Sequence, residues 1–186
     1  MIYCRNILIS LAVFSLLLSC SDNPLEELTK KAESGDAETQ VVLGKMYLRG
    51  DSDIGVSRNS ATALKWLQKA ADKGNAKGQL YLGSMYFKGD GVSKNIVRAV
   101  ELTRLAAEQD DPEAQSDLGY LYEIGDGVEK DINKAIFWYQ KAKDKNYASA
   151  YYRLGRLYAD QVVVADSNKS AEFLKTAADL NLKKAE

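Results

Sequence analysis

Histidine is absent from the 186 residues, and cysteine occurs only at Cys4 and Cys20. Without histidine the chain lacks the commonest metal ligand and the usual general base, and it can form no Ser-His or Cys-His catalytic arrangement. Beyond Cys20, neither a disulfide framework nor a cysteine-ligated zinc site can form. We therefore expect no metal, no cofactor and no catalytic residues.

Proline and net charge are also scarce. Two prolines in this length suit a helical protein, because proline interrupts helix interiors. The 25 basic and 26 acidic residues leave a formal net charge of -1, which differs from the basic surface of a nucleic-acid-binding protein. The hydrophobic content of 46% argues against disorder. These features predict a folded, largely helical domain with no nucleic-acid partner.

The first 19 residues have the pattern of an export signal. Arg5 provides a basic start, and an apolar run over 7–18 is interrupted only by two serines. This run is shorter than the roughly 20 residues that a membrane-spanning helix needs, and it fits the apolar region of a signal peptide. A short inner-membrane anchor is the alternative.

The end of this run, Leu17-Leu18-Ser19-Cys20, resembles a lipobox. The resemblance implies cleavage before Cys20, lipidation of that cysteine and attachment to the periplasmic side of a bacterial envelope. In bacterial lipoproteins the residue after the lipidated cysteine is often an aspartate that signals retention in the inner membrane. Here that residue is Ser21, which favours the outer membrane, although Asp22 follows it. A signal peptide without lipidation remains the alternative.

An internal repeat organises the remainder. When the sequence is compared with itself at a shift of 36 residues, three copies of Leu-Gly, three tyrosines and three alanines align. A further copy with the same residues precedes them, and its loop is three residues longer. The aligned positions are Leu43-Gly44, Leu82-Gly83, Leu118-Gly119 and Leu154-Gly155; Tyr47, Tyr86, Tyr122 and Tyr158; and Ala63, Ala99, Ala135 and Ala171. Four tandem copies are therefore predicted.

Each copy is predicted to form two helices joined by a glycine-containing turn. Asp36, Asn75 and Asp111 are predicted N-caps of the first helices, and Asn59, Asn95, Asp131 and Ser167 of the second. The expected inner face of the second helices carries Ala63, Trp66 and Ala70; Ala99, Leu102 and Ala106; Ala135, Trp138 and Ala142; and Ala171, Leu174 and Ala178. The mid-helix glycines are expected where the two helices approach closely, and both tryptophans are expected in the core.

The pattern Ala-x-x-Gln-x-x-Leu-Gly-x-x-Tyr, followed by Gly-x-Gly-Val and Ala-x-x-Trp-Tyr, resembles the Sel-1-like repeat, a relative of the tetratricopeptide repeat. The resemblance implies an all-α, right-handed α-solenoid of about four helix-turn-helix repeats. The predicted organisation is a signal peptide over 1–19, a lipidated tether and capping helix over 20–34, repeats over 35–71, 72–107, 108–143 and 144–180, and a tail over 181–186. In the fourth copy Gln161 and Val163 replace the turn glycines.

The resemblance also implies that the first helices line a concave groove. Side chains off the buried stripe are then candidates for partner binding, and their aromatic, aliphatic and arginine types are those enriched at interfaces. The candidates are Lys45, Leu48, Arg49, Leu80, Phe87, Lys88, Tyr120, Glu123, Ile124, Tyr152 and Arg156.

Three function classes remain open at this point. The favoured one is a non-catalytic scaffold or adaptor that binds another protein, either an envelope-assembly component or, as an immunity protein, a type VI secretion effector. A β-lactamase-like or peptidoglycan-active enzyme is the rival, although relatives of that kind carry a cysteine pair in each repeat and this chain has none after Cys20. A periplasmic regulator of a sensor kinase is the third.

Overall fold

The computed structural model describes residues 24–159 and 166–183, and within these ranges every regular element is an α-helix. The predicted leader, Cys20 and most of the loop of the fourth copy lie outside the described residues. The helices are α1 Pro24–Glu33, α2 Ala37–Arg49, α3 Ser60–Asp72, α4 Ala76–Lys88, α5 Ile96–Glu108, α6 Pro112–Ile124, α7 Ile132–Asp144, α8 Ala148–Ala159 and α9 Ser167–Lys183.

Six of the predicted N-caps are confirmed. The side chains of Asp36, Asn75 and Asp111 accept a hydrogen bond from a backbone N–H in the first turn of α2, α4 and α6. Asn59, Asn95 and Asp131 do the same for α3, α5 and α7. Each of these bonds satisfies one N–H that a helix start leaves without an intrahelical acceptor, so the capping residues determine where six helices begin.

The mid-helix glycines lie where the two helices of a hairpin touch. A Cβ added at Gly119 would lie 2.7 Å from the ring of Tyr139 on α7 and 3.1 Å from the carbonyl oxygen of Ala135. A Cβ at Gly44 would lie 2.5 Å from the Leu67 side chain on α3. Glycine is therefore used here for close helix approach, as the sequence predicts, and this outweighs its cost of about 1 kcal/mol inside a helix.

The hairpins stack in chain order into an α-solenoid. α2 packs on α3, α4 on α5, α6 on α7 and α8 on α9, and each hairpin also contacts the next through α3–α4, α5–α6 and α7–α8. The first helices α2 and α4 contact each other directly as well, which is expected on the inside of a curved array. α1 packs against α2 and covers the start of the array.

The second helix of the fourth copy has a different register from the predicted one. Ser170 and Ala177 are buried, whereas Ala171 and Ala178 are exposed. A Cβ at Gly155 would lie 3.3 Å from the Ser170 carbonyl oxygen and 2.9 Å from Leu174, which matches the surroundings of Gly119. The shift from third to fourth copy is therefore 35 residues in this helix, and the predicted inner face of Ala171 and Ala178 is wrong by one position.

The same one-residue difference corrects the predicted cap of α9. Ser167 is the first residue of the helix, and the Asp166 side chain accepts hydrogen bonds from the backbone N–H groups of Asn168 and Lys169. Asp166 lies 35 residues after the corresponding cap, Asp131. The segment from Gly155 to Asp166 is thus one residue shorter than the segment from Gly119 to Asp131, which moves the cap and the buried face together.

The tryptophans are less central than predicted. Neither Trp66 nor Trp138 is fully buried, and Lys69 lies 4.3 Å above the Trp66 ring. The residues that come next in the sequence, Leu67 and Tyr139, are fully buried instead. Because an indole is too large for the contact against a helical glycine, the tryptophans cover the edge of the core instead.

Candidate protein-binding groove

The first helices together line a concave surface that holds two adjoining cavities, which we call the groove. The first cavity, of about 280 Å³, is bounded by α4, α5, α6 and α8, and the second, of about 490 Å³, by α2, α4, α6 and the loops after α2 and α4. The residues common to both cavities are Leu80, Ser84, Lys88 and Asp117. The groove therefore combines residues from all four repeats.

Six of the eleven predicted partner-binding residues line the groove: Leu48, Arg49, Leu80, Phe87, Lys88 and Tyr120. Lys45 lies beside it, with its ammonium 5.3 Å from the Tyr81 ring. Leu80 is almost fully buried and so contributes to the groove floor and to packing between repeats.

Besides Lys45, four predicted residues lie outside the lining of the two cavities. Ile124, Tyr152 and Arg156 are exposed elsewhere on the surface. Tyr152 occupies the position of Val41, Leu80 and Ser116, which are buried in the preceding copies. Glu123 is half-buried and acts on the groove indirectly, through the contacts of its carboxylate.

One row of groove residues was missed by reasoning from the sequence. Val42, Tyr81, Asp117 and Arg153 share one position in the four copies, and the last three line the cavities. A signal was present, because this position carries four different residue types although Leu-Gly follows it one residue later in every copy. A position that differs between copies while its neighbours repeat is typical of a surface not needed for stacking.

One edge of the groove is acidic. Lys77 on α4 binds Asp111 at 3.0 Å and Glu113 at 2.7 Å, which joins the second repeat to the third. Burial disfavours the ammonium charge, but the hydrogen bonds to Glu113 and Asp111 outweigh this and raise the pKa of Lys77 above its ordinary value. Both carboxylates are therefore already occupied by a cation of the chain itself.

Asp117, one turn further along α6, differs from these two. Its side chain is exposed to solvent inside the groove, and within the described residues no hydrogen bond or salt bridge holds its carboxylate. Partial dehydration between the surrounding helices, followed by the negative charge of Glu113, raises its pKa to about 6. The positive charges of Arg153 and Lys77 only partly offset these effects.

Arg153 forms the wall next to Asp117 and is held in place. Its guanidinium lies 4.0 Å above the Tyr120 ring and 3.9 Å from Glu123. The Tyr139 hydroxyl donates a hydrogen bond of 2.5 Å to the same Glu123 carboxylate. Burial of the phenol, together with this bond, raises the pKa of Tyr139. A core residue of the third hairpin thereby fixes the position of a groove residue of the fourth.

The opposite edge of the groove is basic. Arg49 and Lys88 end α2 and α4 and are exposed. Between them, Arg58 donates to Asp90 at 2.8 Å, and Ser60 also donates to Asp90, which links the turn of the first repeat to that of the second. The groove is thus basic at the C-terminal ends of the first helices and acidic nearer their N-terminal ends.

Neither a metal cluster nor a membrane-spanning helix is found in the part of the chain that the structure describes. No group of three or more Asp, Glu, His or Cys residues there could hold a metal ion. The described helices are too short or too polar to cross a bilayer.

Tandem helical hairpins, a glycine contact in each hairpin and a groove along the first helices define an α-solenoid repeat protein. The sequence model of the family described as Sel1 repeat matches residues 37–75, 76–111, 112–147 and 148–182. The chain belongs to the Sel1 repeat family, whose members bind other proteins and are generally non-catalytic scaffolds. The matched lengths reproduce the longer first copy and the shorter fourth copy seen in the structure.

Solved structures of Sel1 repeat proteins resemble this one closely. A Sel1 repeat protein from Oxalobacter formigenes is 36% identical with a TM-score of 0.77, over 84% of this chain and 63% of that one. A protective antigen from uropathogenic Escherichia coli is 33% identical with a TM-score of 0.74, over 84% and 33%. The chain therefore spans less than two thirds of the length of either protein.

A more distant similarity is to the immunity protein Pa5087 from Pseudomonas aeruginosa. The identity is 20% and the TM-score 0.50, over 91% of this chain and 81% of that one. At 20% identity this similarity shows a shared fold and nothing more. A comparison with curated proteins gave no match.

Proposed function

We propose that this protein is a non-catalytic scaffold or adaptor that binds a partner protein in the groove. The observation that carries the proposal is that helices from all four repeats line one pair of joined cavities with residues that differ from copy to copy. Repeat-specified packing with a varied lining is typical of a solenoid that presents a binding surface.

The groove lining has the composition of a binding surface. Phe87 and Tyr120 offer apolar area at low cost in side-chain entropy, and Arg153 is already ordered by its contact with Tyr120. Such preordered side chains reduce the entropy lost on association. A partner can therefore gain affinity from a small number of anchor contacts in this region.

Site-specific photocrosslinking in the source bacterium tests this proposal. A benzoylphenylalanine at Ser84, which lines both cavities, is expected to give a discrete adduct with a partner protein. The matched control is the same probe at Val97 on α5, which is 63% exposed and lies outside the groove lining.

The comparison between the two probe positions decides the outcome. An adduct at Ser84 that is absent at Val97 supports groove binding. Adducts formed equally well at Val97, or only there, would place the partner on another surface and contradict the proposal. Nitrocefin turnover or peptidoglycan hydrolysis by the purified chain would instead favour the enzymatic alternative.

We further propose that the protein acts on the periplasmic side of the envelope, anchored by a lipid on Cys20. The lipobox-like sequence 17–20 after a short apolar run supports this. Metabolic labelling with an alkyne fatty acid is expected to label the wild-type chain and to place it in the membrane fraction. The Cys20→Ser variant should lose the label, whereas Cys4→Ser should keep it; labelling that survives Cys20→Ser would disprove the anchor.

An immunity role is the narrower form of the same proposal. Its support is the shared fold with Pa5087, which extends over most of both chains. If the protein neutralises a toxin delivered between sister cells, a deletion strain should lose viability in co-culture with its parent, and a plasmid copy should restore it. A deletion strain that competes equally would exclude this role and leave groove binding to other partners in place.

A further inference from the structure

The groove contains a negative charge that the chain itself leaves without a partner. Around Asp117 the carboxylates of Asp111, Glu113 and Glu123 contact Lys77 or Arg153, but within the described residues nothing donates a hydrogen bond to Asp117. Around Asp117 four acids thus share two bases, whereas Arg49, Arg58, Lys88 and Asp90 lie at the opposite edge of the groove. This part of the groove is therefore complementary to a cation.

The position of Asp117 makes its charge usable by a partner. Its side chain is exposed and lies where the two cavities join. Apolar and aromatic side chains adjoin it in the first cavity: Leu80, Phe87, Tyr120 and Leu121. A cation that reaches Asp117 from solvent would therefore have apolar walls on one side, where a salt bridge is less screened than on an open surface.

The basic edge of the groove offers less to a partner. Arg49 and Lys88 lie at helix ends, and their long side chains lose more conformational entropy when a partner fixes them than the short side chain of Asp117 does. Arg58 is already paired with Asp90. The charge of an ionised Asp117, by contrast, is disfavoured first by partial dehydration and then by the negative charge of Glu113, and a cation bound there would offset both effects.

We propose that the groove recognises a partner segment that places an arginine or lysine side chain on Asp117 and an adjacent apolar side chain in the cavity between Phe87 and Tyr120. This inference rests on the proposed groove-binding function and specifies the chemistry of the partner. Arginine suits the site best, because its planar guanidinium can bind a carboxylate through two parallel hydrogen bonds.

A random 12-residue peptide library displayed on phage is the probe for this inference. Selection on the purified full chain is expected to enrich peptides that contain arginine or lysine next to an apolar residue. A selected peptide should bind at least tenfold more weakly to Asp117→Asn than to the wild-type chain. The same peptide with citrulline in place of its arginine should lose a similar factor in affinity for the wild-type chain. The two losses should not add, because they remove the same contact.

Two further variants make the result specific. Asp126→Asn, which removes an acid in the turn after α6 outside the groove lining, is the matched control and should leave the affinity unchanged. Asp117→Arg should reject the selected peptide and instead bind a version with glutamate in place of its arginine. Unfolding temperatures measured in parallel establish that each variant is folded.

The failure of this inference can be told apart from the failure of groove binding. Ser84→Trp fills the junction of the two cavities, so it should abolish any binding in the groove. Peptides that are blocked by Ser84→Trp but bind Asp117→Asn with unchanged affinity, or that are enriched in acidic residues, would overturn only the cation inference. Peptides that ignore Ser84→Trp, or a selection without binders, would count against both.

Discussion

The first helices present two faces that differ in how far their residues repeat. The packed face carries Leu-Gly in all four copies, and a Cβ on any of these glycines would press against the second helix. The groove face carries Val42, Tyr81, Asp117 and Arg153 at one shared position. One helix therefore separates two tasks, because stacking constrains one face and leaves the other free to vary.

The two faces are nevertheless coupled at one place. Tyr139 packs against Gly119 on the packed side, and its hydroxyl holds Glu123, which in turn contacts Arg153 in the groove. If the division of tasks is correct, substitutions on the packed face should reduce stability and substitutions in the groove should reduce binding. A substitution of Tyr139 should reduce both stability and binding.

The largest effect on stability is expected for Gly78→Ala on the packed side of α4. A Cβ there would lie 2.7 Å from the Ala70 Cβ and 2.8 Å from the Ala71 backbone nitrogen, and backbone cannot move aside as a side chain can. Three contacts under 3.0 Å, two of them with backbone atoms, place the overpacking at or above the upper end of the usual range of about 1–3 kcal/mol, which exceeds the gain of about 1 kcal/mol in helix propensity. Thermal unfolding followed by circular dichroism should show a lower Tm.

Gly83→Ala is the matched control for this variant. The added Cβ would lie 3.1 Å from the Ala99 carbonyl oxygen and from the Thr103 hydroxyl, so the clash is milder and the Tm should fall less. A Gly78→Ala variant as stable as the wild type would mean that the contact between the first and second repeats can adjust, and that the packed face tolerates added volume.

Tyr139→Phe is expected to have the next largest effect. The fully buried phenol donates to the Glu123 carboxylate, and a hydrogen bond to a charged group contributes about 1.5–3 kcal/mol. The variant should therefore unfold at lower denaturant concentration, and it should also bind groove peptides more weakly because Arg153 loses part of its support.

The matched control for Tyr139→Phe is Tyr151→Phe. The hydroxyl of Tyr151 makes a 3.4 Å contact with Asn146 at an exposed site. Removing it should change stability by less than about 0.5 kcal/mol. Equal effects of the two variants would show that the Tyr139 hydroxyl contributes no more to stability than an exposed hydroxyl. This result would contradict the proposed coupling between the packed face and the groove.

Asp117→Asn should stabilise the protein slightly, and only above acidic pH. The folded pKa of Asp117 is raised to about 6, so the folded state favours the protonated carboxyl more than the unfolded state does. Its contribution to stability is complete below the unfolded pKa of about 3.9 and is lost as the pH rises through about 6. Replacing it with a neutral amide removes that loss.

The measurement is the Tm of the variant relative to wild type at about pH 4 and about pH 7.5, on either side of the raised pKa. The difference should be near zero at the lower pH and positive at the higher one, and modest, because solvent reaches the side chain and screens its charge. A difference that is the same at both pH values would show that Asp117 titrates normally, and the groove would then hold no carboxyl group whose charge its surroundings disfavour.

Most of the fold could be predicted from the sequence because the signals for it recur. Six caps and four Leu-Gly pairs repeat at nearly constant spacing, and each has a local physical reason to be where it is. The prediction failed in the fourth copy, where the aligned alanines at a shift of 36 residues led to Ala171. The segment from Gly155 to the cap Asp166 is one residue shorter than its counterpart in the third copy, and the buried position in α9 is Ser170 rather than an alanine. Matching alanine with alanine therefore selected Ala171, the residue that follows it.

The groove was only partly predictable. Leu48, Arg49, Phe87, Lys88 and Tyr120 were found because they lie off the buried stripe of the first helices. Asp117 and Arg153 were missed, since helical spacing gives a direction around one helix but not the curvature that brings α4, α6 and α8 together. Distances between groups on different repeats depend on that curvature, which no local pattern encodes.

The smallest effect is expected for Ala171→Leu, which tests the register of the fourth copy. In the structure Ala171 is exposed, so a leucine should change stability by less than about 0.5 kcal/mol. At the corresponding aligned position in the third copy, Ala135 is fully buried against Gly119, and Ala135→Leu should cost about 1–3 kcal/mol through overpacking. The two variants place the same side chain 36 residues apart, so only the local register can separate them. Equal destabilisation by both would mean that residue 171 faces α8, and the packed face of the fourth repeat would then follow the alanine pattern rather than Ser170 and Ala177.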